Sequence, residues 1–239
     1  MPTLPQFAPA ESREELLRAI AKVQRGLVEE PIARLPCGVA AIDTLLQGGW
    51  PRGRLSELYG TRSCGKTTLA LHLLAAVTGR REIGAWIDAA DAVHPLSLVA
   101  AGVDLSRVLW VRPRSFPEAL RSAEVVLSTK GIALVVLDCG ERAARFPSRA
   151  AWLRLQRAAA RSHAVLLLLA PHSLAGSFAA LRLRLQANGG QWVRAGQREF
   201  LEGLRAFVVV ERNRIGRENQ RLGWEVRWPS AVGSAGLGV

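Results

Sequence analysis

The chain has 239 residues, 49% of them apolar, with a formal charge of +12 and three cysteines. That length buries one sizeable core with at most a small appendage, and two full domains would be crowded. Cys37, Cys64 and Cys139 are odd in number and lack metal-ligand spacing, which argues against a disulfide framework or a zinc site. The basic charge points to a polyanionic partner, nucleic acid first. Only Lys22, Lys66 and Lys130 are lysines, however, and base composition produces such an arginine bias as readily as phosphate binding does. The start of the chain has no basic stretch leading into an apolar one, and the longest apolar run, Ala164 to Ala170, is too short for a bilayer. A soluble cytoplasmic, nucleoid-associated protein is expected.

In chain order, Glu14 to Leu27 carries Leu16, Leu17, Ile20, Val23 and Leu27 at helical spacing, with Ser12 and Glu15 as a capping box. Glu30 to Arg54 reads as a turn-rich connector, with Gly48, Gly49, Pro51 and Gly53. Leu55 to Tyr59 then forms a short strand, and Gly60-Thr61-Arg62-Ser63-Cys64-Gly65-Lys66-Thr67 fits the phosphate-loop pattern without a mismatch. Glycines let backbone N–H groups close around phosphates, Lys66 reaches the terminal phosphates, and the Thr67 hydroxyl can ligate Mg²⁺. Thr68 stands directly behind. Lys66 to Val77 continues as an amphipathic helix whose N-terminus faces the phosphates.

Short apolar runs alternate with helical stretches beyond this point, the pattern of a parallel sheet with crossover helices. Strands are predicted at Ile83 to Asp88, Arg107 to Val111, Ala133 to Asp138 and Val165 to Ala170, and helices at Pro95 to Ala100, Phe116 to Ser128 and Ser148 to Ser162. Leu181 to Gln186, Gln191 to Val193, Ala206 to Glu211 and Leu222 to Arg227 read as further strands with no long helix between them, so the sheet is expected to continue antiparallel. From Pro229 the tail is made of small residues, and disorder is expected there. The expected fold is α/β, a mainly parallel twisted sheet with antiparallel C-terminal strands plus an N-terminal helix. The segments are 1–34, 35–228 and 229–239.

A phosphate-loop site needs a second carboxylate for Mg²⁺ at the end of an apolar strand lying beside the first. Asp138, after Ile132 to Leu137, meets that demand. Hydrolysis further needs a group that orients or deprotonates water, and Asp88 and Asp91 are the available acids.

The ordered blocks LPCGVAAIDTLL, GGWPRGRLSELYGTRSCGKTT, AWIDAADAVHP, GVDLSRVLWVRP, ALVVLDCG and VVVERNRIG resemble the RecA superfamily core, from Leu35 to Trp228. Within it, the short Arg-rich form with GGWPRG before the first strand resembles ImuA, a group of accessory proteins in damage-induced mutagenesis. The resemblance implies ATP and Mg²⁺ as ligands, with Lys66, Thr67 and Asp138 in the phosphate and metal roles. It places Arg212 and Arg214 on the paired lysines that RecA extends to a neighbour's terminal phosphate. It also implies that the helix Glu14 to Leu27 lies against an adjacent subunit, the alternative being a helix folded on its own core. The implied partners are RecA, an ImuB-like Y-family polymerase homologue and an error-prone replicative-type polymerase.

Departures from the family are informative. Its catalytic Glu sits in I-D-A-E, whereas this chain has Ile87-Asp88-Ala89-Ala90, so ATP binding with weak or absent turnover is expected. The two DNA-binding loops shrink to Glu141 to Arg149 and Pro171 to Ser177, the phosphate-sensing Gln has no counterpart beyond nearby His172, and nothing after Trp228 matches the family's C-terminal domain. Arg145, Arg149, Arg154, Arg157 and Arg161, together with Arg217 and Arg221, offer phosphate contacts to single-stranded DNA, or simply a solvated face. Three functions follow: a damage-tolerance adaptor, an active DNA-dependent ATPase or recombinase paralogue, and a SulA-like cell-division inhibitor with a vestigial loop.

Overall fold

The computed structural model describes residues 32–140, 147–195 and 197–227. The helix expected at Glu14 to Leu27, Arg145 and the tail lie outside them. The apolar runs pair into an eight-stranded sheet built from β3 (Leu55–Gly60), β4 (Ile83–Asp88), β5 (Val108–Val111), β6 (Ile132–Asp138), β7 (Val165–Ala170), β8 (Leu181–Ala195), β9 (Arg198–Asn213) and β10 (Gln220–Arg227). Their order across the sheet is β10-β9-β8-β3-β7-β6-β4-β5. Strands β3 to β8 run parallel, and β9 and β10 add antiparallel.

Strands β6 and β7 are buried along their whole length, which explains why they read as continuous apolar runs rather than alternating ones. Two cores flank the sheet. One lies under α2 (Lys66–Gly79) and α3 (Pro95–Ala100) and includes Leu69, Leu73, Trp86, Leu98, Val208 and Trp224. The other lies under α4 (Phe116–Ser128) and α5 (Arg149–Ser162) and includes Ala123, Leu127, Trp152 and Leu155. Ser115 and Ser148 cap these last two helices, each accepting a backbone N–H in the first turn.

Four details differ from the sequence-based expectation. The connector is ordered: β1 (Arg34–Leu35) pairs with β2 (Trp50–Pro51), and α1 (Ala40–Leu45) sits between them. The Asp43 carboxylate there accepts the Cys37 and Gly38 N–H groups at 2.8 and 3.0 Å, a local closure hidden among glycines. Helix α2 is not amphipathic, since Leu69, Ala70, Leu71, Leu73, Leu74 and Val77 are buried around more than one face. Strand β7 lies between β3 and β6, so the Asp138 strand is not the neighbour of the phosphate-loop strand. Finally, the strands expected at Leu181 to Gln186 and Gln191 to Val193 merge into β8, which forms one long hairpin with β9, and a register shift absorbs Asn188 and Gly189. Among the described residues no helix is long and apolar enough to cross a membrane.

Candidate nucleotide site

Parallel strands place their following loops at one edge of the sheet, where open α/β sheets bind ligands. At that edge β3 ends in the phosphate loop. Ser63 (φ 55°) and Gly65 (φ 95°) take left-handed backbone, which turns the chain into α2. A side chain on Gly60 would run into the Leu185 carbonyl and the Cys64 sulfur, so glycine is required where the loop leaves the sheet. The Lys66 ammonium folds over the loop, donating to the Gly60 carbonyl and, at 2.8 Å, to the Thr61 carbonyl. Cys64 is a buried filler whose thiol is pushed above its ordinary pKa by burial, against the pull of Lys66.

One cleft of about 950 Å³ opens here, lined by Arg62 to Thr68, Ala90, Ala92, Asp138, Gly140, Leu169 and Ala170. The volume lies at the upper end of the roughly 300–1,000 Å³ usual for small-molecule sites. Asp138 reaches it across the end of β7, and its Oδ1 accepts the Gly140 N–H at 3.0 Å. A helix N-terminus, a lysine, the Thr67 hydroxyl and one carboxylate suit a Mg²⁺-triphosphate. Mg²⁺ characteristically takes few protein ligands and completes its shell with phosphate oxygens and water. Among the described residues no cluster of three or more His, Cys, Asp and Glu side chains forms a metal cage.

Neither candidate base enters the cleft. Asp88 pairs in register with Asp138, yet its buried carboxylate accepts the Ala92 and Val93 N–H groups at 3.0 and 3.1 Å and closes the turn after β4. Asp91 (φ 52°) points outward, and Arg112 grips it through two contacts of 2.6 and 2.7 Å. The residue that faces Gly140 and the cleft is Ala90, so Asp138 is the sole acid among its described lining residues.

The far wall was not anticipated. It comes from the β8–β9 hairpin and carries Ala187, Gly189, Gly190, Trp192, Leu201, Gly203 and Leu204. Isolated sequence windows around these residues show only short strands and glycines. The wall appears once Trp192 is seen opposite Leu201 in the hairpin register.

Arg212 and Arg214 sit elsewhere. Asn213 pairs with Leu181, which pairs with Ser56, so this segment lies at the start of β3, the end opposite the phosphate loop. Arg214 donates to the Ser177 carbonyl at 2.7 Å. The segment Pro171 to Ser177 is tightly held: the Glu57 carboxylate, in the middle of β3, accepts the Leu174 and Ala175 N–H groups, the Ser173 hydroxyl and Arg182 Nε at 2.5–3.0 Å. His172 is exposed within it. On α5, Arg149, Arg157 and Arg161 are exposed, while Arg154 pairs with Glu124 at 3.1 Å. Arg217 is exposed, and Arg221 stacks on the Phe207 ring at 3.6 Å.

The model of the RecA N-terminal domain matches residues 18–151, more than half of the chain. The chain belongs to the RecA family. It is 36% identical over 144 residues to the RecA protein of Lactobacillus delbrueckii subsp. bulgaricus, covering 55% of this chain and 44% of that protein. It is 38% identical over 107 residues to RecA of a Picosynechococcus species, covering 45% and 31%. The chain thus spans less than half the length of the curated relatives it matches. Its fold is similar to a solved RadB recombinase, with a TM-score of 0.62 over 79% of this chain and 94% of that one at 22% identity, a likeness of fold alone. In this RecA-family core the phosphate loop and Asp138 meet at the sheet edge, and Ala90 occupies the position that the resemblance assigns to the catalytic glutamate.

Proposed function

We propose that the chain is a RecA-like nucleotide-binding accessory protein of DNA-damage tolerance, of the ImuA kind, which binds ATP with Mg²⁺ and turns it over weakly or not at all. One observation carries this reading: the cleft combines an intact phosphate loop and Asp138 with an alanine, Ala90, where a water-activating acid belongs. Lys66 would hold the terminal phosphates, and Thr67 with Asp138 would hold the metal. Positioned general-base catalysis contributes about 10²–10⁴-fold, so its loss leaves binding intact and hydrolysis slow.

Two further features favour a docking subunit over a recombinase. The segment from Pro171 to Ser177 is pinned by Glu57 and is too short to follow a DNA strand. Arg212 and Arg214 stand at the sheet end away from their own cleft, where they suit contact with a neighbour. RecA, an ImuB-like polymerase homologue and an error-prone replicative-type polymerase are the proposed partners. Direct contact with single-stranded DNA would run through the exposed arginines Arg149, Arg157, Arg161 and Arg217.

ATP turnover measured with and without single-stranded DNA and with RecA present tests the reading. The expected result is nucleotide binding, lost in Lys66→Ala, with turnover far below that of a DNA-dependent ATPase. Turnover at ordinary ATPase rates that Lys66→Ala abolishes would overturn it in favour of an active recombinase paralogue. Absence of any nucleotide binding would favour a pure partner-binding inhibitor.

A further inference from the structure

The wall of the cleft opposite the phosphate loop is an apolar surface with no assigned role. Trp192 is 62% exposed although it is the largest apolar side chain lining the cleft. In the β8–β9 register it stands directly opposite Leu201, so the two side chains share the face that looks onto the site. Gly190 leaves the space above it to the indole edge: a side chain there would meet Trp192 Nε1 and Leu201 Cδ1. The indole is thereby laid along the hairpin rather than standing off it. The hairpin is also anchored to the loop itself. A Cβ on Gly65 would lie 3.2 Å from Leu204 Cδ1 and 3.0 Å from Trp224. Leu204 pairs with Gly190, and Trp192 stands two residues beyond that rung, roughly 7 Å along the strand.

We propose that Trp192, backed by Leu201, is the stacking platform for the base of the bound nucleotide. This rests on the nucleotide reading of the cleft and specifies its other half. The polar chemistry of the cleft is concentrated at one end, in Lys66, Thr67, Asp138 and the loop N–H groups, and fixes where the phosphates go. The opposite end offers glycine backbone, a leucine and an indole. A triphosphate fixed at the first end projects its flat heterocycle toward the second, and an aromatic ring is the side chain that holds any base by its π-face with little preference among bases. The two faces of the hairpin differ in this respect. Val193 and Phe200, also exposed, form the neighbouring pair whose side chains point to the opposite face and do not line the cleft.

The test compares ATP with inorganic tripolyphosphate, which has the charge but no base. Calorimetric titration of the full chain in Mg²⁺ buffer, and of Trp192→Ala, Trp192→Phe and Lys66→Ala, with thermal melts to establish folding, separates the outcomes. Trp192→Ala should weaken ATP about tenfold or more while leaving tripolyphosphate unchanged, and Trp192→Phe should retain most of the ATP affinity. Lys66→Ala should weaken both ligands. Unchanged ATP affinity in Trp192→Ala, beside a loss in Lys66→Ala, overturns the stack and leaves the phosphate site standing. Equal loss of both ligands in Trp192→Ala also overturns it, because the residue would then shape the loop and not hold the base. A native chain that binds neither ligand overturns the nucleotide reading itself, and the stack with it.

Discussion

Ala90 is where chemistry and geometry part company in this molecule. Its side chain faces Gly140 at the mouth of the cleft and is exposed, so a longer side chain has solvent-side room. Ala90→Glu should therefore raise ATP turnover by on the order of 10²-fold or more, the lower range for a restored general base, without tightening ATP binding. Phosphate release from Ala90→Glu with Lys66→Ala as the blank measures this, and unchanged turnover would count against Ala90 as the missing catalytic position. A second residue makes a pH prediction. His72, on α2 and in edge contact with Trp224, has its pKa lowered from 6.5 by burial. The folded state thus binds this proton less readily than the unfolded chain. The neutral form costs nothing above pH 6.5, and stability falls as pH drops below that value. His72→Gln should flatten that part of the acid limb, read as melting temperature between neutral pH and about pH 5. That Lys66, Thr67 and Asp138 line one cleft was legible in sequence, because the first two stand at fixed spacing in the loop and Asp138 ends an apolar strand, although that strand is not the neighbour of β3. Trp192 was not, because its place depends on which residue of a distant strand lies opposite it.

Among the elements, the segment between β7 and β8 owes its shape to one buried carboxylate. Glu57 has a fully buried side chain in the middle of β3, and it satisfies two backbone N–H groups, the Ser173 hydroxyl and Arg182. Removing it strands a mostly buried guanidinium and two amides. Glu57→Ala is expected to cost about 3–5 kcal/mol in urea unfolding, the range for breaking one partner of a buried pair. In Glu57→Ala plus Arg182→Ala part of that cost should return, since no charge is left without a partner. A loss below about 1 kcal/mol, the scale of an exposed pair, would mean the segment is held by other contacts. The strands and helices between Ile83 and Ala170 were legible almost to the residue, because apolar runs, serine caps and prolines mark their ends. The glutamate in Leu55-Ser56-Glu57-Leu58-Tyr59 was passed over as an ordinary strand polar, since its four partners lie more than a hundred residues away. The connector helix α1 was missed for a similar reason: six residues among glycines give too short a period to read.

At the scale of the whole molecule the sheet has two working ends. The nucleotide cleft lies at the carboxyl end of β3, while Arg212 and Arg214 lie at its start, four residues and roughly 13 Å back along the strand. Within one chain these arginines have no route to the chain's own phosphates. On the proposed reading, any contact they make with a nucleotide would be with that of another protomer, to whose phosphates a guanidinium offers a planar fork. This geometry separates two measurements. Arg212→Ala plus Arg214→Ala should leave the affinity of the isolated chain for ATP unchanged, as read by calorimetry under conditions where it is monomeric. The same variant should weaken association with RecA filaments assembled on single-stranded DNA in the presence of ATP, by about a hundredfold or more if both arginines lose charge-assisted bonds of about 1.5–3 kcal/mol each. The loss should shrink as salt rises, because the contact is screened. If the double substitution instead lowers the chain's own ATP affinity, the arginines act within one protomer and the two-ended view of the sheet is wrong. If it changes neither binding step, docking runs through another surface, and the exposed arginines of α5 become the next to vary.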